Sequence, residues 1–262
     1  MRRMKLPRIF LALVCALSWA GFFGATAFAK DGETALIAVA ANFAEIAGAL
    51  EEAFEGQSPH DVTVTTGSTG KLYAQIVKGA PFDVFLSADR ARAARLEDEG
   101  HAVAGSRFTY AVGRLTLWSA HEGRISDNGP AVLREADFRA LAIANPELAP
   151  YGLAARQTLE KLGLLDAVSD RIVMGENIGQ AFSMVATGNA ELGFIALSYV
   201  MSPRNETPGS WWAVPADLHD PIRQDAVLTA RGAENAAARA FLDFLKSDEA
   251  GELIERYGYA IE

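Results

Sequence analysis

Val62-Thr63-Val64-Thr65-Thr66-Gly67-Ser68-Thr69-Gly70-Lys71-Leu72-Tyr73-Ala74-Gln75-Ile76-Val77 is the stretch on which the reading of the fold turns. Its first four residues are β-branched and read as a strand. Leu72, Tyr73, Ile76 and Val77 recur at helical spacing. Between the two, small hydroxyl residues and glycine break the strand and open the helix. The first N–H groups of a helix have no partner within it, and neighbouring hydroxyls add further donors. Such a turn binds an anion without carrying a charge, although it serves equally as a plain helix cap. A nucleotide phosphate fits it poorly. The P-loop pattern G-x-x-x-x-G-K-[ST] is met by Gly70-Lys71, but Thr65 stands where its first glycine belongs and Leu72 where its Mg²⁺-binding hydroxyl belongs.

The chain ends narrow the setting. Arg2, Arg3, Lys5 and Arg8 form a basic start, residues 9–24 are almost wholly apolar, and Ala27-Phe28-Ala29 is a small-x-small site before Lys30. This is the pattern of a cleaved secretory signal peptide rather than a membrane anchor. Ala12-Leu13-Val14 before Cys15 is a poor lipoprotein box, so a freely released periplasmic protein is expected, cleaved after Ala29. Cys15 is the only cysteine of the 262 residues, so the mature chain has no disulfide and its core must suffice. Removal of four basic and no acidic residues leaves 20 basic against 33 acidic, a formal charge of −13. That surface disfavours nucleic acid and anionic membranes. An anion site must then work against the overall field, through aligned dipoles and exclusion of water.

Strand and helix patterns alternate along the rest of the chain. Leu36–Ala40 reads as a buried strand running into Asn42, which is expected to cap a helix with Phe43, Ile46, Ala47, Leu50 and Phe54 on one face. Residues 83–87 form a strand and Asp89 caps the next helix. A β-rich stretch from Tyr110 to Ser119 follows. Further strands are expected at 140–144, 171–174, 192–197, 211–214 and 225–228, with helices at 151–162, after Asn177, at 235–246 and at 248–257. This alternation implies α/β architecture with mostly parallel sheets covered on both faces.

Four strand-to-helix junctions share one chemistry: Ala41-Asn42, Gly67-Ser68-Thr69, Pro150-Tyr151-Gly152 and Asn177-Ile178. Each sets a neutral polar group or a bare N–H at a helix start. In open α/β sheets, ligands bind outside the carboxyl ends of the strands, where all four junctions fall. Two come from the first part of the chain and two from the second, which suits a cleft between lobes. A tetrahedral dianion offers four acceptor oxygens and no donor, so its site should consist of donors alone. Lys71 is the nearest cation and reads as solvated on its helix, and Glu176 must point away.

Ala40-Ala41-Asn42-Phe43, the block from Gly67 through Gly79-Ala80-Pro81-Phe82-Asp83 to Asp89, Ala144-Asn145-Pro146, Ala149-Pro150-Tyr151-Gly152, Gly175-Glu176-Asn177-Ile178, Glu191-Leu192-Gly193-Phe194 and Arg256-Tyr257-Gly258-Tyr259 together resemble the periplasmic molybdate-binding proteins of ABC importers, type II solute-binding proteins. The resemblance covers the mature chain in order. It implies two α/β lobes hinged by two crossing strands, near 108–115 and 222–228. The lobes would then be residues 30–110 with 225–262, and residues 111–224. It implies an oxyanion held by Ala41, Asn42, Ser68, Tyr151 and Ile178, with Tyr151 reaching in from the second lobe and the Ile178 N–H closing the cage. Molybdenum would be held as the oxyanion, without direct side-chain ligands and without a cofactor. One version of the family cage has a tyrosine near position 196. Ala196 supplies none, so Tyr151 points to the other version, in which threonine is frequent at position 41; Ala41 offers only its backbone. The resemblance further implies a monomer that hands molybdate, and tungstate, to a membrane permease.

Three rival readings frame this one. Sulfate differs from molybdate chiefly in size, and phosphate usually requires an acceptor in its site. A secreted hydrolase would need a nucleophile with a base, or a metal, yet His60, His101, His121 and His219 are isolated in sequence and fit no zinc spacing, and there is no G-x-S-x-G elbow. A sensor or adhesin would use the same fold without a transporter.

Overall fold

The computed structural model describes residues 32–207 and 209–262. The expected signal peptide, Cys15 and the cleavage site after Ala29 lie outside the described residues. Among the described residues, no helix is long and apolar enough to cross a membrane.

The strands are β1 (Thr34–Ala40), β2 (Asp61–Gly67), β3 (Val84–Leu86), β4 (Phe108–Gly113), β5 (Leu115–Ser119), β6 (Leu141–Ala144), β7 (Ile172–Gly175), β8 (Leu192–Ala196), β9 (Ser210–Ala213) and β10 (Ile222–Leu228). They form two five-stranded sheets, ordered β2-β1-β3-β10-β4 and β7-β6-β8-β5-β9. The helices are α1 (Ala44–Gln57), α2 (Thr69–Val77), α3 (Arg90–Asp98), α4 (Ala131–Glu135), α5 (Pro150–Lys161), α6 (Leu165–Val168), α7 (Ile178–Ala186), α8 (Leu197–Met201), α9 (Ala236–Leu245) and α10 (Asp248–Arg256). The architecture is the two-lobed α/β fold of a type II periplasmic binding protein, with helices on the sheet faces.

Parallel register brings the functional turns together. β1 pairs with β2 so that Ala40 lies opposite Gly67, and with β3 so that Val39 lies opposite Leu86. The turns that begin at Ala41, Ser68 and Ser87 therefore leave one edge of the first sheet side by side. In the second sheet Ala144 lies opposite Gly175, which does the same for the turns after β6 and β7. β10 runs antiparallel to β3 and β4, and β5 antiparallel to β8 and β9, so both sheets are mixed.

Burial follows the apolar periodicity. Ile46, Ala47, Leu50 and Phe54 on α1 pack with Ala237, Phe241 and Leu245 of α9 on one face of the first sheet. Leu72, Ile76, Ala93 and Leu96 of α2 and α3 cover the other face. The second lobe has its own core around Trp118, Leu141, Leu159 and Phe194.

One expectation needs correction. Asn42 does not cap α1: residues Ala41–Phe43 form a 3-10 turn, α1 starts at Ala44, and neither helix start receives a side-chain cap. Asn42 is buried instead, where its amide finds buried partners. The β-rich stretch 110–119 is two strands, because the chain passes at Arg114 from β4 in one sheet to β5 in the other. The strand expected over 192–197 is β8, which ends at Ala196 where Leu197 opens the short helix α8.

Candidate functional site

The four junctions converge on one small cavity of about 10 Å³, about the room that a single water molecule needs. From the first lobe it is lined by Ala41 and Asn42, by Gly67, Ser68 and Thr69, and by Ala88. From the second lobe come Ala149, Pro150 and Tyr151, and then Asn177 and Ile178. No lining residue carries a charge. All five residues expected from sequence, Ala41, Asn42, Ser68, Tyr151 and Ile178, lie on this wall.

Local chemistry explains each helix start. Ser68 is the residue before α2, in extended conformation (ψ 142°), and its side chain makes no capping bond. Its hydroxyl is buried and has no hydrogen-bond partner. A buried hydroxyl without a partner is disfavoured by roughly 1–3 kcal/mol, so this atom has hydrogen-bonding capacity to spare. Pro150 opens α5, where its missing N–H is not needed. Tyr151 follows with its N–H at the helix start. Asn177 caps α7 by accepting from Gln180 N at 3.0 Å, and this leaves Ile178 as the first helical residue. Three helix N-termini and the 3-10 turn thus direct partial positive charge at one point.

Two side chains stand differently from the sequence expectation. The Tyr151 hydroxyl turns away from the cavity toward the strand pair β4–β10: Gln224 Nε2 donates to it at 3.4 Å, and a Cβ placed on Gly113 would sit 2.0 Å from it. Neither Gly113 nor Gln224 lines the cavity, so the phenol oxygen lies to one side of it. The Asn42 amide is likewise engaged behind the wall. It donates to Gln224 Oε1 at 2.8 Å and to Tyr259 Oη at 3.2 Å. The Asn42 carbonyl accepts from Tyr259 Oη at 2.6 Å and from Ser198 Oγ at 3.0 Å. With side chain and carbonyl both taken, this turn has its N–H side left for the cavity.

Gln224, Tyr110, Tyr259, Ser198 and Tyr199 are the residues that sequence reasoning missed. Tyr110 Oη donates to Gln224 Oε1 at 3.1 Å, which ties the network to β4. The one local signal was the terminal Tyr257-Gly258-Tyr259 segment, read only as part of a resemblance. Loss of water raises the phenols, Tyr259 to about 12 and Tyr110 and Tyr151 well above their ordinary value, so all three hold their protons. A phenol whose folded pKa exceeds its unfolded value contributes fully below pH ~10 and loses that contribution as pH rises further. The melting temperature is therefore expected to fall steeply above about pH 10. Melting curves that stay level from about pH 10 to 12 would contradict this.

Several contacts join the lobes around the cavity. Gly70 N donates to Leu148 O at 2.9 Å, and Arg92 Nη2 to Glu147 O at 2.8 Å. Lys71 is not simply solvated: it forms an ion pair with Glu176 across the cleft, which also accounts for that carboxylate. Both side chains are substantially exposed, so this pair contributes at most about 1 kcal/mol. Asp89, the charge next to Ala88, accepts from Arg92 N at 2.7 Å and pairs with the Arg92 guanidinium at 2.5 Å. Among the described residues no cluster of three His, Cys, Asp or Glu side chains is placed to hold a metal ion. The arrangement can present hydroxyl and helix-start N–H donors to a guest and sets no charged side chain on the wall.

Comparison with known proteins agrees with this fold. The family model for bacterial extracellular solute-binding proteins matches residues 35–260. The chain is 51% identical over 239 residues to the molybdate-binding protein ModA of Azotobacter vinelandii, covering 91% of this chain and 94% of that one. It is 50% identical over 234 residues to ModA of Rhodobacter capsulatus, covering 89% and 90%. Among solved structures, it resembles the Azotobacter vinelandii periplasmic molybdate-binding protein with a TM-score of 0.84 and 43% identity, over 87% of this chain and 99% of that chain.

Proposed function

We propose that this chain, which belongs to the bacterial extracellular solute-binding protein family and within it to the molybdate-binding ModA proteins, captures molybdate between its lobes and delivers it to an ABC importer. It is a binding protein and not an enzyme. The observation that carries the reading is the uncharged cavity under four converging turns, with the buried, unpartnered Ser68 hydroxyl in its wall.

The physics supports a dianion. Ser68 contributes a hydroxyl, and the helix-start N–H groups of the four turns supply the other donors. Each charge-assisted bond contributes roughly 1.5–3 kcal/mol. About half a dozen suffice for sub-micromolar affinity after the entropy of association is subtracted. The absence of a cationic lining residue leaves no long-range Coulomb trap to slow release. Tungstate shares molybdate's charge and size and is expected to bind alike.

The remaining features of the proposal follow from the same reading. The strands β4 and β10 act as the hinge, with residues 30–110 and 225–262 on one side and 111–224 on the other. The protein works as a monomer in the periplasm after cleavage behind Ala29, and its partner is a membrane permease.

Titration calorimetry of the mature chain tests the function. Molybdate and tungstate are expected to bind below about 1 μM, and sulfate and phosphate at least about a hundredfold more weakly. Sulfate binding as tight as molybdate binding would overturn the assignment in favour of a general tetrahedral-oxyanion carrier.

A further inference from the structure

We propose that Tyr199 is a positioning residue: its hydroxyl fastens the first-lobe wall of the cavity to the second-lobe wall when the lobes close. The inference rests on the oxyanion reading above and deepens it.

Tyr199 lies on α8 in the second lobe, and its Oη donates to the carbonyl of Ala41 in the first lobe at 2.7 Å. The same oxygen sits against the start of α7. A Cβ added to Gly179 would lie 2.9 Å from it and 3.3 Å from Asn177 Oδ1. The hydroxyl therefore occupies the seam between the turn at Ala41–Asn42 and the turn at Asn177–Ile178, both of which line the cavity. Gly179 is the residue that leaves room for it.

The ring is held independently of the hydroxyl. It stacks on Phe182 at 4.7 Å and 13°, and Phe182 stacks on Trp118 at 5.1 Å and 22°. Tyr199 is thus fixed to the second lobe in either state, and only its last atom crosses the gap. Burial raises the phenol well above its ordinary range, so it stays a donor. The carbonyl it grips belongs to the peptide whose other end is the Asn42 N–H. A bond to the carbonyl polarises the peptide and strengthens that N–H toward an anion. Ser198 Oγ, the neighbouring hydroxyl, grips the Asn42 carbonyl in the same direction at 3.0 Å.

These bonds form only after the lobes meet. Their loss should therefore speed release and leave capture by the open form unaltered. Tyr199→Phe removes the hydroxyl and keeps the stack. Gly179→Ala keeps the hydroxyl and displaces it. The mature chain and these variants, with their double mutant, are loaded with molybdate and chased with excess tungstate, and the molybdenum retained is followed by elemental analysis. Calorimetric affinities then give the association rates.

Each single variant is expected to release molybdate roughly tenfold faster, the scale of one buried hydrogen bond. Association should stay within about twofold, the ligand-free melting temperature should not change, and the double mutant should release no faster than the singles. Unchanged release, additive effects in the double mutant, or a fall in ligand-free stability that accounts for the whole change would each overturn the proposal. Failure of the unmutated chain to bind molybdate would instead sink the molybdate assignment alone, and the same series with labelled sulfate as probe would still decide the role of Tyr199.

Discussion

Replacing Ser68 by Ala is expected to weaken molybdate binding by roughly 10–150-fold, the worth of one charge-assisted hydrogen bond, while the ligand-free protein becomes no less stable. The two effects have opposite physical origins. Even with the lobes together the Ser68 hydroxyl has no partner within the protein, so deleting it removes no protein hydrogen bond. In the complex the same hydroxyl becomes a donor to a dianion in a site from which water is excluded. Ser68→Asp should go further and take binding below detection. A carboxylate about 4 Å from a dianion is repelled by several kcal/mol even at an effective dielectric near 20. Calorimetry and melting curves on the same preparations check both parts. A variant Ser68→Ala that loses stability and affinity together would show that the hydroxyl is structural.

Gly113→Ala should be comparably damaging, at a position that does not touch the cavity. Gly113 ends β4, one residue before the chain enters the second sheet. A methyl group there would meet the Tyr151 hydroxyl at 2.0 Å and Gln224 Nε2 at 2.8 Å. Tyr151 is fully buried and held in the second-lobe core, so it has little freedom to yield. Relieving the overlap requires the lobes to part or α5 to shift. Either movement takes the Tyr151 N–H away from the anion. Overpacking of this kind costs about 1–3 kcal/mol, or roughly 5–150-fold in affinity. X-ray scattering separates the explanations: the unmutated chain should contract on adding molybdate and Gly113→Ala should not. Full contraction with normal affinity in the variant would contradict the hinge role.

These two positions differ in how legible they were. Ser68 stands in a strand–turn–helix stretch whose β-branched run, hydroxyl-glycine turn and helical apolar spacing are all local. The caps Asp89 and Asn177 were equally readable, because an Asx side chain bonds a backbone N–H only three residues away. Gly113 carried no such signal. Its meaning depends on Tyr151, 38 positions later, and on Gln224 beyond that. The direction of the Tyr151 phenol and the engagement of the Asn42 amide were misread for the same reason: each side chain is claimed by a residue distant in sequence. Asn42 looked like a cap because asparagine before a helical pattern is one in most settings. Here buried partners on β10 and at the C-terminus out-compete the local backbone.

By itself, the sequence determined the α/β alternation, the four polar strand-to-helix junctions, the lack of charge at them and the family to which they belong. All of these follow from interactions within a few residues, where side-chain type and spacing fix the outcome. Only the tertiary structure decided that the junctions share one cavity, that Lys71 and Glu176 pair across the cleft, and that Tyr110, Tyr151, Tyr259 and Gln224 form a network behind the wall. Those facts depend on strand register and lobe closure, which bring together groups up to 217 positions apart. Donor and acceptor capacity is written in each residue, but which partner claims it is settled by burial, where leaving a polar group unpaired costs free energy.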